Sequence, residues 1–332
     1  MVRASFPTTR LRRLRQHPRM RDLIRETHLT IDDLVYPLFI KPGNGSNTAI
    51  SSMPGQAQIT LENLSAEIKT IVALNIPAVL LFGIPEKKDP QGSDAYHEQG
   101  IVQQAIRIIK STAPNLLVIS DLCCCEFTDH GHCGIIDTHT GKTDINNDET
   151  LTILQKQAIA HVQAGADILA PSGMIDGMVA AIRHALDKHH YQHIPILSYS
   201  VKYASALYGP FRDAAEGTPQ FGDRRSHQMD IANANEALRE AELDIAEGAD
   251  ILMVKPALMF LDIIHRLKQQ FPQIPLAAYQ VSGEYAMIKA ASENHWLAEK
   301  DTVLESLLAI KRAGANFIIT YFAKEVARWL QA

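Results

Sequence analysis

The chain has 332 residues, 46% of them hydrophobic and 21% charged, enough for one large α/β domain or two smaller ones. Its net charge of −5 argues against general binding to nucleic acid or anionic membranes, and no apolar run approaches the roughly 18–20 residues of a membrane span. All four cysteines fall between Cys123 and Cys133, too clustered for a disulfide framework, so the expectation is a reducing cytoplasmic setting with a metal site.

Residues 1–33 are rich in arginine, with no acid before Asp22, and Leu11, Leu14, Leu23 and Ile24 give them some apolar content. An organellar transit peptide, a basic nucleic-acid arm and an extension packed on a neighbouring subunit all fit such a composition. No secretory-type apolar segment and no cleavage-like boundary precede the first strand, so the expectation is a subunit-contact arm over 1–33 ahead of a catalytic domain over 34–332.

From residue 34 short apolar runs alternate with amphipathic stretches. Strands are expected at 34–40, 78–84, 116–122, 168–173, 195–202, 251–256, 275–283 and 317–323. Most are continuously apolar, as strands covered on both faces should be. Helices are expected near 61–75, 98–112, 149–163, 174–190, 231–247, 258–270, 284–293 and 302–313. In the second of these, Ile101, Val102, Ala105, Ile108 and Ile109 share one side. An internal echo supports the count: AGADILAPSG (164–173), EGADILMVKP (247–256) and AGANFIITYFA (313–323) each place a glycine at a helix end before a strand. Eight such units read as an α/β protein of the (β/α)8 TIM-barrel class with an extended N-terminal arm. A doubly wound open sheet would require a glycine-rich phosphate turn after the first strand, and KPGNG (41–45) has neither the spacing nor a helix directly behind it.

Two of the expected strands end on a lysine: ILMVKP on Lys255 and IPILSYSVK on Lys202. Desolvation disfavours an ammonium, and a neutral amine is the form that attacks a carbonyl to give a Schiff base. Two such amines over one pocket also lower each other's proton affinity. On a barrel the other polar candidates gather at the same C-terminal rim. Asp121 and Cys123 follow strand three, Ser172 ends strand four, Ser282 ends strand seven and Tyr321 lies in strand eight.

The run DLCCCEFTDHGHCG (121–134) sets Cys123, Cys125 and Cys133 in a C-x-C-x7-C pattern near His130 and His132. Thiolates beside imidazoles suit zinc, and three well-spaced thiolates leave a fourth position open for water or substrate. Cys124 is read as a bystander. A structural Cys3His zinc and a redox-active thiol cluster are the alternatives. His189, His190 and His193 are read as solvated surface. A loop of about 28 residues after the fifth strand carries Arg212, Arg224 and Arg225, and suggests a lid that clamps a substrate carboxylate.

Beyond these local readings, the chain closely resembles the porphobilinogen synthase (5-aminolevulinate dehydratase) family over essentially its whole length. The matching pieces are DLCCCEFTDHGHCG, SYSVKYASALYGPFRDAA (198–215), GDRRSHQMD (222–230), MVKP (253–256), VSGEYAM (281–287) and RLRRLR (10–15). The resemblance implies a homo-oligomer, typically an octamer, that condenses two 5-aminolevulinate molecules to porphobilinogen with loss of two waters. By position it implies Schiff-base roles for Lys255 (first substrate) and Lys202 (second), with Asp121 and Ser172 near the reacting amine. It implies Cys123, Cys125 and Cys133 as ligands of a catalytic Zn2+, and Glu240 as a ligand of an allosteric Mg2+. Arg212, Arg224 and Gln228 match the grip on the second carboxylate, Ser282 and Tyr321 the grip on the first. Relatives commonly carry an acid at Gly173, an arginine at Met178 and an apolar residue at Cys124, so the chain departs from the pattern there. A class I aldolase-like lyase needs one lysine and no thiolate cluster; a non-catalytic zinc scaffold would leave both lysines unreactive.

Overall fold

The computed structural model describes residues 5–137 and 143–331. The apolar runs become strands β1 (Leu34–Lys41), β2 (Thr48–Ala49), β3 (Ala57–Thr60), β4 (Ala78–Gly83), β5 (Leu117–Leu122), β6 (Ile168–Pro171), β7 (Leu197–Lys202), β8 (Ile251–Lys255), β9 (Leu276–Gln280) and β10 (Phe317–Thr320). Eight of them pair in the order β6-β5-β4-β1-β10-β9-β8-β7, all parallel, and a single parallel bridge between Leu169 and Ile196 brings β6 to β7. The expected barrel of eight parallel strands is borne out. Its strands are buried on both faces, helices outside and side chains inside, which is why the sequence runs are continuous rather than alternating.

The helices are α1 (Pro18–Leu23), α2 (Leu61–Ala73), α3 (Ile101–Thr112), α4 (Asn147–Ala164), α5 (Met178–Lys188), α6 (Gly209–Ala214), α7 (Glu236–Glu247), α8 (Leu261–Gln270), α9 (Ser282–Glu293), α10 (Glu299–Ala313) and α11 (Ala323–Gln331). In α3 the buried stripe is Ile101, Val102, Ala105, Ile106 and Ile109, while Ile108 sits only partly inside. Four elements were not read from the sequence: the β2–β3 hairpin, α1, α6 and α11. The hairpin adds β3 alongside the C-terminal half of β1, above the point where β10 leaves it.

The internal echo has a structural cause. Gly165, Gly248 and Gly314 follow α4, α7 and α10 with φ of 108°, 104° and 129°, a region that favours glycine. The residue two positions on then turns back onto the neighbouring strand. Asp167 accepts the Val118 N–H (2.7 Å), Asp250 the Ile196 N–H (2.8 Å) and Asn316 the Leu276 N–H (2.9 Å). Each repeat thereby satisfies an amide at the bottom of the barrel, where a strand pair begins and no ladder partner exists.

β6 and β10 end earlier than their apolar runs, whereas β5 ends where expected. Asp121 lies inside β5, Ser172 stands one residue past β6 and Tyr321 one past β10. Ser282 does not end a strand; it opens α9, since an extended Val281 caps that helix and Glu284 reaches back to its N–H. The long segment after β7 is partly ordered by a 3-10 turn at Ala206–Tyr208 and by α6.

Candidate active site

Lys202 and Lys255 close β7 and β8 as register partners, and they are only 6% and 5% exposed. The Lys255 Nζ is surrounded by aromatic faces, with ring centroids at 4.4 Å (Tyr279), 5.0 Å (Tyr199), 5.1 Å (Phe211) and 5.4 Å (Tyr208). Burial, and then the Lys202 charge, pull the Lys255 amine down to about 7 from its ordinary value. The Lys202 Nζ donates to the Ser172 carbonyl (2.5 Å) and lies 5.6 Å from the same Tyr199 ring. Tyr199 therefore touches both amines.

Beside them, the Ser172 hydroxyl donates to Asp121 Oδ2 (2.9 Å), while Asp121 Oδ1 has no hydrogen-bond partner. Burial and then Glu126 push the Asp121 carboxyl up to about 8, against the pull of the two lysines. A carboxyl and an amine that interact and both change charge near neutrality make a proton donor and acceptor available at one site.

Cys123, Cys125 and Cys133 follow β5 and are fully buried, with all three sulfurs within 4.8 Å of one another and Cys123 Sγ 3.2 Å from Cys125 Sγ. A tetrahedral site with metal–sulfur bonds of about 2.3 Å needs sulfurs roughly 3.8 Å apart, so the trio fits a thiophilic ion with little movement. Hydrogen bonding within the trio holds the Cys133 thiol well below its ordinary range, and Arg224 and Lys202 add to that. Cys123 is pushed the other way, chiefly by its hydrogen bonds to Cys125 and Cys133. Cys124 is outside the group, as expected of a bystander. His130 and His132 are also outside it: His132 Nε2 meets the Phe221 carbonyl (2.9 Å) and His130 Nε2 the Pro90 carbonyl (3.3 Å). His189, His190 and His193 are exposed.

The segment after β7 covers this floor. Arg224 Nη2 donates to the carbonyls of Gly131 (2.8 Å) and Gly217 (2.7 Å), which ties the segment to the cysteine loop. The remaining donors Arg224 Nε, Arg212 Nε and Gln228 Nε2 are buried without protein partners. Unsatisfied buried donors are costly, and three on one segment suit an anionic ligand. On the Lys255 side, Ser282 Oγ accepts the Phe211 N–H (2.9 Å), and the Tyr321 hydroxyl meets the Tyr279 hydroxyl (3.0 Å). The sequence-derived residues thus fall into two groups, one around each lysine.

Glu240 belongs to neither group, though its cavity also takes in Gln228. It lies on α7 in a cavity of about 600 Å³ shared with Asp176, Glu236, Asp244 and Glu247. Burial, then Asp244, Asp176 and Glu236, push its carboxyl up to about 7. Neither lysine lines that cavity. Sequence reasoning missed Tyr199, Tyr208, Phe211 and Tyr279, which build the box around Lys255, and Glu126, whose Oε2 is 3.2 Å from Cys125 Sγ.

A family model described as Delta-aminolevulinic acid dehydratase matches residues 8–329. The chain is 58% identical over 321 residues to a delta-aminolevulinic acid dehydratase of Halalkalibacterium halodurans, covering 97% of this chain and 96% of that one. It is 55% identical over 326 residues to the Synechocystis sp. enzyme of the same name, covering 98% and 99%. The crystal structure of the Toxoplasma gondii enzyme in complex with the reaction product porphobilinogen superposes with a TM-score of 0.93 at 42% identity, covering 97% of this chain and 91% of that one. The chain belongs to the delta-aminolevulinic acid dehydratase family.

Proposed function

We propose that the chain joins two 5-aminolevulinate molecules into porphobilinogen with release of two waters, as a lyase of porphyrin biosynthesis, and that Lys255 and Lys202 each hold one substrate as a Schiff base. The observation that carries the reading is the pair of buried lysines at matched strand ends, one of them with its amine brought down to about 7. An uncharged Lys255 amine attacks the ketone of the first substrate, and the carbonyl oxygen leaves as water once protonated. Asp121, bonded to the Ser172 hydroxyl and lifted to about 8 by burial, is placed to give and take protons beside the lysines. Ser282 and Tyr321 grip the first carboxylate; Arg212, Arg224 and Gln228 grip the second. Two unlike grips hold two copies of one molecule in different orientations, as an asymmetric product requires.

Cys123, Cys125 and Cys133 would hold zinc, which when bound acts as a Lewis acid toward the second substrate. The span of the three sulfurs supports that ligand set. Glu240 and its acidic neighbours would hold the allosteric magnesium, a reading supported by the elevated proton affinity that a divalent cation would relieve. Residues 1–33 act as an arm on a neighbouring subunit of a homo-oligomer, an octamer by family likeness, with the barrel over 34–332 as the catalytic domain. Phe6, Leu11 and Leu23 support this, since they are 77%, 71% and 80% exposed on the single chain. Residues 1–4 lie outside the described residues. The reading places the protein in the cytoplasm, with neither nucleic acid nor membrane as partner; among the described residues no helix is long and apolar enough to cross a membrane.

The test is porphobilinogen formation from 5-aminolevulinate with and without a zinc chelator, together with borohydride reduction and peptide mass analysis. Turnover that the chelator stops, with substrate mass on the Lys255 and Lys202 peptides, is expected. Full turnover in metal-free protein would end the zinc assignment, and unlabelled lysines the Schiff-base assignment.

A further inference from the structure

Glu284, the third residue of α9, has no exposed surface. Its carboxylate accepts backbone N–H groups from two segments far apart in sequence. One is Val281 at the start of α9 (2.5 Å); the other is the turn leaving β8, at Leu258 (2.5 Å) and Ala257 (3.5 Å). The first segment carries Ser282 and the second directly follows Lys255. Burying a carboxyl is expensive, and an exposed Ser or Asp would cap a helix start at less cost. Burial here pushes the group up to about 7, against the three amides that favour its charged form.

Little slack exists around this joint. A Cβ on Gly283 would lie 2.5 Å from the Leu207 carbonyl oxygen, so the start of α9 is pressed against the 3-10 turn after β7. From that side Phe211 donates its N–H to Ser282 Oγ and sets its ring 5.1 Å from Lys255 Nζ. The end of β8 is held at the same level, where the Lys255 carbonyl accepts from Tyr203 N (3.0 Å) and the Tyr208 hydroxyl (3.2 Å). One carboxylate thus joins the strand end that offers the amine to the helix start that offers the hydroxyl.

We propose that Glu284 is a positioning residue for the first substrate: its carboxylate fixes the separation between the Lys255 amine and the Ser282 hydroxyl, and so decides whether a keto acid spans both. The inference rests on the reading that Lys255 forms an imine and Ser282 holds a carboxylate. The Lys202 side, with Asp121, Ser172 and the arginines, is not held by Glu284 and serves as an internal control.

The experiment is borohydride trapping on wild type, Glu284→Gln and Glu284→Ala, titrated with 5-aminolevulinate and read separately on the Lys255 and Lys202 peptides. Both variants should need roughly ten- to a hundredfold more substrate for half-trapping at Lys255, with Lys202 little changed, because small displacements from reacting geometry cost that much. Glu284→Gln, which keeps one acceptor oxygen, should be the milder. Equal rises at both lysines, or no rise at Lys255, would overturn the proposal. So would loss of the folded state in both variants, which would make the residue a general structural one. Absence of trapping in wild type would instead sink the Schiff-base reading, and the two failures are therefore told apart.

Discussion

Lys202 and Lys255 face each other across β7 and β8 as register partners, each the last residue of its strand. Equal height in a parallel pair puts two amines into one apolar space, where the charge of one opposes protonation of the other. Removing the Lys202 charge should therefore raise the proton affinity of Lys255 from its value of about 7 toward an ordinary lysine. In Lys202→Met, imine formation at Lys255 should slow at pH 7, roughly tenfold for each unit of rise. Its acid limb should move to higher pH, as read by borohydride trapping across a pH series. An unmoved limb would show that burial alone sets the amine.

Lys255→Met should remove porphobilinogen formation by on the order of 10³-fold or more, since no other group supplies the nucleophile for the first substrate. The barrel should persist, because the methionine stem fills the box of Tyr199, Tyr208, Phe211 and Tyr279 about as well as the lysine stem does. Circular dichroism and turnover together check this.

Arg224→Lys separates charge from geometry. The ammonium keeps the sign but not the planar fork that reaches the Gly131 and Gly217 carbonyls while leaving Nε free. A loss of about 1–3 kcal/mol in apparent substrate binding is expected, measured as a rise in KM larger than any fall in kcat. An unchanged KM would remove Arg224 from the carboxylate grip.

Much of this site was legible in the sequence because the chemistry-bearing residues stand at strand ends, and strand ends can be read from where apolar runs stop. Lys202 and Lys255 stand out that way, and the three cysteines by their C-x-C-x7-C spacing. The aromatic box does not. In β7, strict alternation puts Ser198, Ser200 and Lys202 on one face and Tyr199 on the other. The pairing with β8 slips between Ser198 and Val201, so alternation is broken there. Ser198 then turns outward to Asp244 on α7 (2.6 Å), and Tyr199 turns inward between the lysines. A register slip leaves no mark in composition. The missed α6 and α11 have a simpler cause. Gly209 and Pro210 read as a breaker although proline suits a first helical turn, and the apolar stretch of β10 runs on through Phe322 and Ala323 into α11.

Stability toward acid gives a prediction independent of catalysis. His161 on α4 is fully buried, with Nδ1 2.6 Å from the Ser120 hydroxyl and Nε2 3.0 Å from the Ala95 carbonyl. The carbonyl can only accept, so Nε2 carries the proton and Nδ1 accepts from the serine, which fixes a neutral ring. Burial pulls its proton affinity down to about 4, against the ordinary 6.5. Between those values the unfolded chain binds a proton that the folded chain refuses. The contribution is therefore whole above about pH 6.5 and lost as pH falls toward 4, reaching roughly 3 kcal/mol. His161→Gln, which does not titrate, should cost stability at pH 7.5 through poorer hydrogen bonding. It should also lose about 2 kcal/mol less than wild type on going to pH 5. Urea unfolding of both proteins at the two pH values is the measurement, and parallel losses would mean that the acid sensitivity lies elsewhere in the barrel.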